Sequence, residues 1–262
     1  MSTESITVGG LDRSYYLVRP KTIPAGSQLP MVVILHGINA SISLASHRTG
    51  FLPLAADGAA ILLYPVGYHE AWNAGSCCTN NGAPPNINDV AFIADVVRQV
   101  TADQPVDAKE VYVTGYSNGG KMSYRVACFE SSLFAGFGAG QAVANSSCVS
   151  ARPEDFVLVD STGDPESQHN SSQPPIVQSG FTELSVPAQI AKFVSLDHCA
   201  GEPTTTKIGE FTLESWTGCA GGTHVELADI SGGSHAWPDG SQPGTPSAEE
   251  IMWSFWTGQP FP

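Results

Sequence analysis

Basic residues are scarce in this chain. Eleven Lys and Arg stand against 25 Asp and Glu, a formal charge of −14 over 262 residues. A surface of that sign repels phosphate backbones and anionic lipid, which argues against nucleic acid and membrane surfaces as partners. Long hydrophobic runs are missing too: none approaches the ~20 apolar residues that cross a bilayer as a helix. Charge of either sign is sparse at 14%, below the usual quarter. The six cysteines contain no C-x-x-C and no Cys/His spacing suited to zinc, so neither a metal nor another cofactor is expected. From Met1 to Gly10 there is no basic segment followed by an apolar one, so no signal peptide is read there. The expectation is a mature secreted domain whose signal was removed and replaced by Met1.

What is present fits an enzyme rich in ordered loops. The hydrophobic fraction of 42% is enough for a sizeable core, and Gly, Pro, Ser, Thr and Asn are plentiful. An even cysteine count in such a chain reads as disulfides formed in an oxidising compartment. Spacing suggests Cys128 with Cys148, Cys199 with Cys219, and Cys77 with Cys78 or both free. Glycosylation sequons stand at Asn39, Asn145 and Asn170.

Apolar runs at Met31–Leu35, Ala59–Tyr64, Val111–Thr114, Gly136–Ala139 and Phe156–Val159 suit strands covered on both faces. Ser14–Val18 reads as an edge strand. Helical spacing recurs from Ile87 to Val97, with Asn86 or Asn88 as N-cap, and again over Leu184–Leu196 and Glu249–Trp256. Alternating strands and helices predict a three-layer α/β domain with a mostly parallel central sheet. No linker divides the chain, so one catalytic domain over 1–262 is expected, and a monomer is the expected state although the residues do not fix it. Residues 66–86 form a long loop containing Trp72.

The sharpest signal is Gly115-Tyr116-Ser117-Asn118-Gly119, a G-x-S-x-G between the strand run Val111–Thr114 and a helical pattern from Lys121 to Phe129. Strand, tight turn and helix make a nucleophile elbow, with Ser117 as nucleophile. In hydrolases of this kind the acid and then the base follow the serine along the chain. His235, in the Gly-rich loop after Val225–Ile230, is the favoured base over His198 and His224. Asp164, in the turn after Phe156–Val159, is the favoured acid; Asp160 is the alternative and Glu166 a distant third. The oxyanion hole needs two main-chain N–H groups. Asn118 supplies one, and Ile38, after Leu35-His36-Gly37, the other. His36 is read as holding that loop. Trp72 and Trp237 are candidates to bind substrate by stacking.

Taken in order, Leu35-His36-Gly37, Trp72-Asn73 with Cys77-Cys78, Asn88-Asp89-Val90-Ala91-Phe92, Gly115 to Met122, Thr162-Gly163-Asp164-Pro165 and Gly232 to Pro238 carry a resemblance. The chain resembles the secreted polyhydroxybutyrate depolymerase-like esterases, which include feruloyl and acetyl xylan esterases of carbohydrate esterase family 1. The resemblance runs from about Ser14 to Pro238. It implies an α/β-hydrolase fold, no metal, and a Ser-Asp-His triad falling on Ser117, Asp164 and His235. Many members have His-Gly-Thr-x-Asp at the acid. Here the segment is Asp160-Ser161-Thr162-Gly163-Asp164, which keeps Asp160 open.

The expected function is hydrolysis of carboxylic esters through an acyl-enzyme, on feruloyl or acetyl groups of plant cell-wall polysaccharide. A polyhydroxybutyrate or related polyester depolymerase is the alternative. An acyltransferase or peptidase would use the same residues, and a non-catalytic binding module would normally have lost part of the triad.

Overall fold

A computed structural model describes residues 1–40, 48–75, 77–78, 87–144, 152–170, 176–178 and 181–262. Its strands are β1 (Ser2–Val8), β2 (Leu11–Val18), β3 (Leu29–Leu35), β4 (Ile61–Pro65), β5 (Val106–Gly115), β6 (Gly136–Gly140), β7 (Asp155–Ser161), β8 (Val177–Gln178), β9 (Phe181–Thr182), β10 (Thr204–Ile208), β11 (Phe211–Trp216) and β12 (Val225–Ile230). Among the described residues the helices of five or more residues are α1 (Leu52–Ala56), α2 (Asp89–Asp103), α3 (Asn118–Phe129), α4 (Val186–Leu196) and α5 (Ala248–Thr257).

Ten strands form one sheet in the order β1-β2-β4-β3-β5-β6-β7-β12-β11-β10. The block from β4 to β12 is parallel throughout. Antiparallel strands close both flanks: β1 and β2 on one side, β11 and β10 on the other. The buried runs of the parallel block explain the layering. Along β3, Met31, Val33 and Leu35 point into one core, while Val32 and Ile34 point into the other. β7 does the same, with Phe156 and Leu158 on the first face and Val157 and Val159 on the second. Helices α2, α3 and α4 cover the first face through Phe92, Met122, Tyr124 and Phe193. On the second face, α1 and α5 pack Leu54, Met252, Trp253 and Trp256. Side chains of this size contribute about 1.5–3 kcal/mol each when fully buried.

Helix ends follow local chemistry. Asn88 caps α2 by accepting the N–H of Ala91 at 3.0 Å. α4 begins at Val186, two residues later than its apolar spacing suggests, because Ser185 takes the N-cap position and Pro187 fills the first turn. Ser247 and Glu250 form a reciprocal capping box at α5, and Gly258 ends it in the left-handed region at φ 66°. Strands β1 and β10 were not anticipated. Every residue of β10 is exposed, and β1 alternates between exposed and half-buried, so neither carries an apolar run.

Parallel strands all end at the same edge of the sheet. The loops after β3, β5, β7 and β12 therefore gather there, although they come from opposite ends of the sequence. That edge is where ligands bind in open α/β sheets.

Among the described residues Cys77 is joined to Cys78 and Cys199 to Cys219. The expected partner of Cys128, Cys148, lies outside the described residues, as does Asn145. No helix among the described residues is long and apolar enough to cross a membrane.

Candidate active site

Ser117 sits between β5 and α3 with φ 54° and ψ −119°, a conformation that costs a non-glycine residue strain. Two things hold it there. Its N–H donates to Gly140 O at 3.0 Å, and its carbonyl accepts the N–H of Lys121 at 2.9 Å. Glycines supply the clearance: a Cβ on Gly115 would overlap the backbone of Gly119, and one on Gly119 would overlap the carbonyls of Leu35 and His36. The corner can be this sharp only because both positions lack a side chain.

His235 Nε2 lies 2.9 Å from Ser117 Oγ, and its Nδ1 lies 2.8 Å from Asp164 Oδ2. The three side chains thus form one hydrogen-bonded chain across 118 residues of sequence. Main-chain bonds join the two loops that carry Asp164 and His235. Thr162 N–H donates to Ile230 O at 2.9 Å, Gly163 N–H to Gly232 O at 2.7 Å, and Gly232 N–H to the Thr162 hydroxyl at 2.7 Å. Burial by itself would lower the pKa of His235, but the Asp164 carboxylate outweighs it and holds the imidazole above its ordinary 6.5.

The other two carboxylates stand elsewhere. Asp160 is fully buried at the end of β7, accepting the N–H of Ser161 at 2.7 Å and the hydroxyl of Ser167 at 2.9 Å. It also faces His169 at 3.6 Å. Glu166 approaches Nε2 of His235, at 3.7 Å, rather than Nδ1, so it does not occupy the orienting position. Of the three carboxylates weighed from sequence, Asp164 is the one bonded to Nδ1.

No main-chain acceptor among the described residues takes the N–H of Ile38 or of Asn118. The Asn118 side chain is occupied with the loop before α2. Its Oδ1 accepts the Trp72 N–H at 2.8 Å, and its Nδ2 donates to Trp72 O at 3.1 Å. His36 is buried and braces the loop after β3. Nε2 accepts the Gly67 N–H at 2.9 Å, which leaves Nδ1 to donate to Gly37 O at 2.7 Å. Burial lowers its pKa, in keeping with a neutral ring.

Trp72 corrects an expectation. It is fully buried, its indole N–H donates to His36 O at 2.9 Å, and its ring packs between His36 and Phe92. The ring has no open face to offer a substrate, and its work is to tie the loop after β3 to α3. Trp237 is also largely buried, with its N–H bonded to Glu249 at 2.8 Å. One edge of it still borders a cavity of about 490 Å³ that also meets Arg48, Tyr116, His235 and Asp239.

Several residues of the site escaped sequence reasoning. Tyr116 donates its hydroxyl to His235 O at 2.7 Å. Asp89 and Arg13 form a buried ion pair at 2.7 Å, and Asp89 also accepts the Asn73 N–H at 2.7 Å. That contact gives the Trp72-Asn73 and Asn88-Asp89 motifs one physical meaning. Lys121 pairs with Glu183 behind the elbow. His169 bridges Asp160 and Asp229. Most of these contacts join residues distant in sequence, such as Arg13 with Asp89 and Tyr116 with His235, and no local pattern announces them. No group of three or more His, Cys, Asp or Glu suited to a metal occurs among the described residues.

A family model described as Esterase PHB depolymerase matches residues 13–171. The chain belongs to this family. Feruloyl esterase B of Piromyces equi is 27% identical over 234 residues, covering 84% of this chain and 42% of that protein. The chain thus spans less than half the length of that relative. A probable feruloyl esterase C of Aspergillus terreus is 26% identical over 258 residues, covering 94% of this chain and 84% of that one. Among solved structures, an acetyl xylan esterase from Aspergillus awamori superposes with a TM-score of 0.68 at 14% identity, covering 98% of this chain and 99% of that one. This chain and that neighbour share the α/β-hydrolase fold.

Proposed function

We propose that this member of the family is a serine esterase that hydrolyses carboxylic esters through an acyl-enzyme. Its substrates are feruloyl or acetyl esters of plant cell-wall polysaccharide. The observation that carries the reading is the unbroken chain from Ser117 Oγ through His235 to Asp164, at 2.9 and 2.8 Å.

In this reading His235 Nε2 takes the proton of Ser117 as Oγ attacks the ester carbonyl. Asp164 fixes the imidazole tautomer and stabilises the imidazolium. The negative charge that develops on the carbonyl oxygen is met by the amides of Asn118 and Ile38. His235 then gives the proton to the leaving alcohol as the C–O bond breaks, leaving an ester on Ser117. Water, deprotonated by the same nitrogen, attacks that ester and releases the acid.

The relatives named feruloyl esterase favour aromatic acyl groups, and the acetyl xylan esterase neighbour favours acetyl. A polyester depolymerase is the second reading, favoured by the family's own description. We place the chain outside the cell, where its disulfides persist, acting as a monomer in which residues 1–262 make one catalytic unit.

Rates on methyl ferulate, acetylated xylan and amorphous polyhydroxybutyrate rank the substrates. Ser117→Ala must abolish turnover of p-nitrophenyl acetate; wild-type turnover in that variant would refute the mechanism. Product analysis with added glycerol separates hydrolysis from acyl transfer.

A further inference from the structure

Glu166 follows Asp164 by two residues on the same loop. Its N–H donates to Asp164 Oδ1 at 2.8 Å, which ties the position of the one carboxylate to the other. Its Oε1 lies 3.7 Å from His235 Nε2, the nitrogen that faces Ser117 Oγ. The side chain is 46% exposed. No hydrogen bond to its carboxylate is made among the described residues, and the ring of His235 at 3.7 Å is its nearest charged neighbour.

A carboxylate at this place is unusual for chemistry that builds negative charge and releases an anionic acid. Its position suggests what it can recognise. In acyl transfer the imidazole Nε2 hands its proton to the oxygen of the departing alcohol, so that oxygen must come within a hydrogen bond of Nε2. Glu166 Oε1 is only slightly further from the same nitrogen. The same nitrogen thus neighbours both the leaving oxygen and this carboxylate, which keeps Glu166 within a few ångströms of the alcohol half of the ester. A carboxylate is an acceptor only. It rewards a donor on the neighbouring carbon, such as a hydroxyl, and repels an anion there.

We propose that Glu166 determines specificity on the alcohol side. It accepts a hydrogen bond from a hydroxyl vicinal to the ester oxygen, selecting esters of sugars and other polyols, and it disfavours esters of anionic alcohols. The inference rests on the esterase reading above.

The test uses ferulate esters that differ only in the alcohol: 2-hydroxyethyl ferulate, its 2-methoxyethyl counterpart and the glycolic acid ester, which carries a carboxylate. Parent, Glu166→Gln and Glu166→Ala are compared by kcat/KM, with active sites counted by a fluorophosphonate probe. The hydroxyethyl-to-methoxyethyl ratio should fall about tenfold in Glu166→Ala, the effect of one hydrogen bond to a charged group. Glu166→Gln keeps a neutral acceptor, so there the ratio should fall less. Relative to the methoxyethyl ester, the glycolic ester should gain in both variants. Identical ratios in parent and variants would overturn the assignment while leaving the esterase reading intact. If the folded parent cleaved neither these three esters nor their acetate counterparts, both would fail together.

Discussion

The hydroxyl of Tyr116 donates to the main-chain carbonyl of His235 at 2.7 Å, so the residue beside Ser117 holds the backbone of His235. The two rings also lie 5.3 Å apart between centroids. This contact fixes where the imidazole stands. Tyr116→Phe removes only the hydroxyl. A net hydrogen bond of about 1 kcal/mol corresponds to a fall in kcat of about fivefold. KM should change little, and steady-state kinetics on p-nitrophenyl acetate will check the split.

Asp164 and Asp160 should behave differently when neutralised. Asp164→Asn leaves the shape intact but favours the wrong imidazole tautomer, and kcat should fall by about 10⁴-fold. Asp160→Asn leaves the His235–Asp164 contact in place and loosens the buried contacts to Ser167 and His169. It should lower the melting temperature more than it lowers kcat. The reverse pattern would return the acid role to Asp160.

The sequence read well where one element carried its own signal. The elbow, the strand runs and the loop of His235 are local patterns, and β3, β4 and β7 show as apolar runs because both their faces are buried. Glycine clearance at 115 and 119 is likewise local. Contacts between distant segments were hidden. Asp164 and Asp160 stand four residues apart with similar turn chemistry, and only the zipping of Thr162 and Gly163 onto the loop of His235 separates them. Trp72 reads as a loop tryptophan suited to substrate until its bond to His36 O buries it. Strands β1 and β10 lack an apolar run because the sheet edge leaves them exposed.

Activity should fall on the acid side of the pH profile. His235 must be neutral to take the serine proton, and Asp164 raises its pKa above 6.5 against the effect of burial. The rate therefore drops as pH falls through that raised value. Stability moves the other way. A histidine whose pKa is higher in the fold than in the unfolded chain stabilises fully below the unfolded value, and loses that contribution as pH rises through the folded one. In Asp164→Asn the acid limb should shift to lower pH, measurable as kcat/KM against pH on the residual activity.

His169 should show the same linkage at higher pH. Burial opposes its charge, but Asp229 at 3.2 Å and Asp160 at 3.6 Å push its pKa up to about 10. The charged ring pins the loop that carries Asp164 between the ends of β7 and β12. Its stabilisation is complete below pH 6.5 and fades as pH rises through about 10. His169→Asn should cost about 3 kcal/mol at neutral pH, the low end for breaking a buried pair. Denaturant melts of both proteins at rising pH should converge in the alkaline range. A gap independent of pH would show that the ring acts by packing alone.

Gly119→Ala tests the corner itself. The added Cβ would meet the carbonyl oxygens of Leu35 and His36, which are backbone at the end of a central strand and have little room to yield. The elbow must then move away from the loop bearing Ile38. Overpacking of this kind costs about 1–3 kcal/mol in stability. The loss in kcat should be larger than that shift suggests, because separating the amides of Asn118 and Ile38 weakens the proposed oxyanion hole, in which one donor is worth about 3 kcal/mol. Gly120→Ala makes the informative comparison: its Cβ would meet the Ala142 methyl at 2.7 Å, away from that loop. If the two variants lost kcat equally for equal loss of stability, the close approach of elbow and loop would have no catalytic consequence.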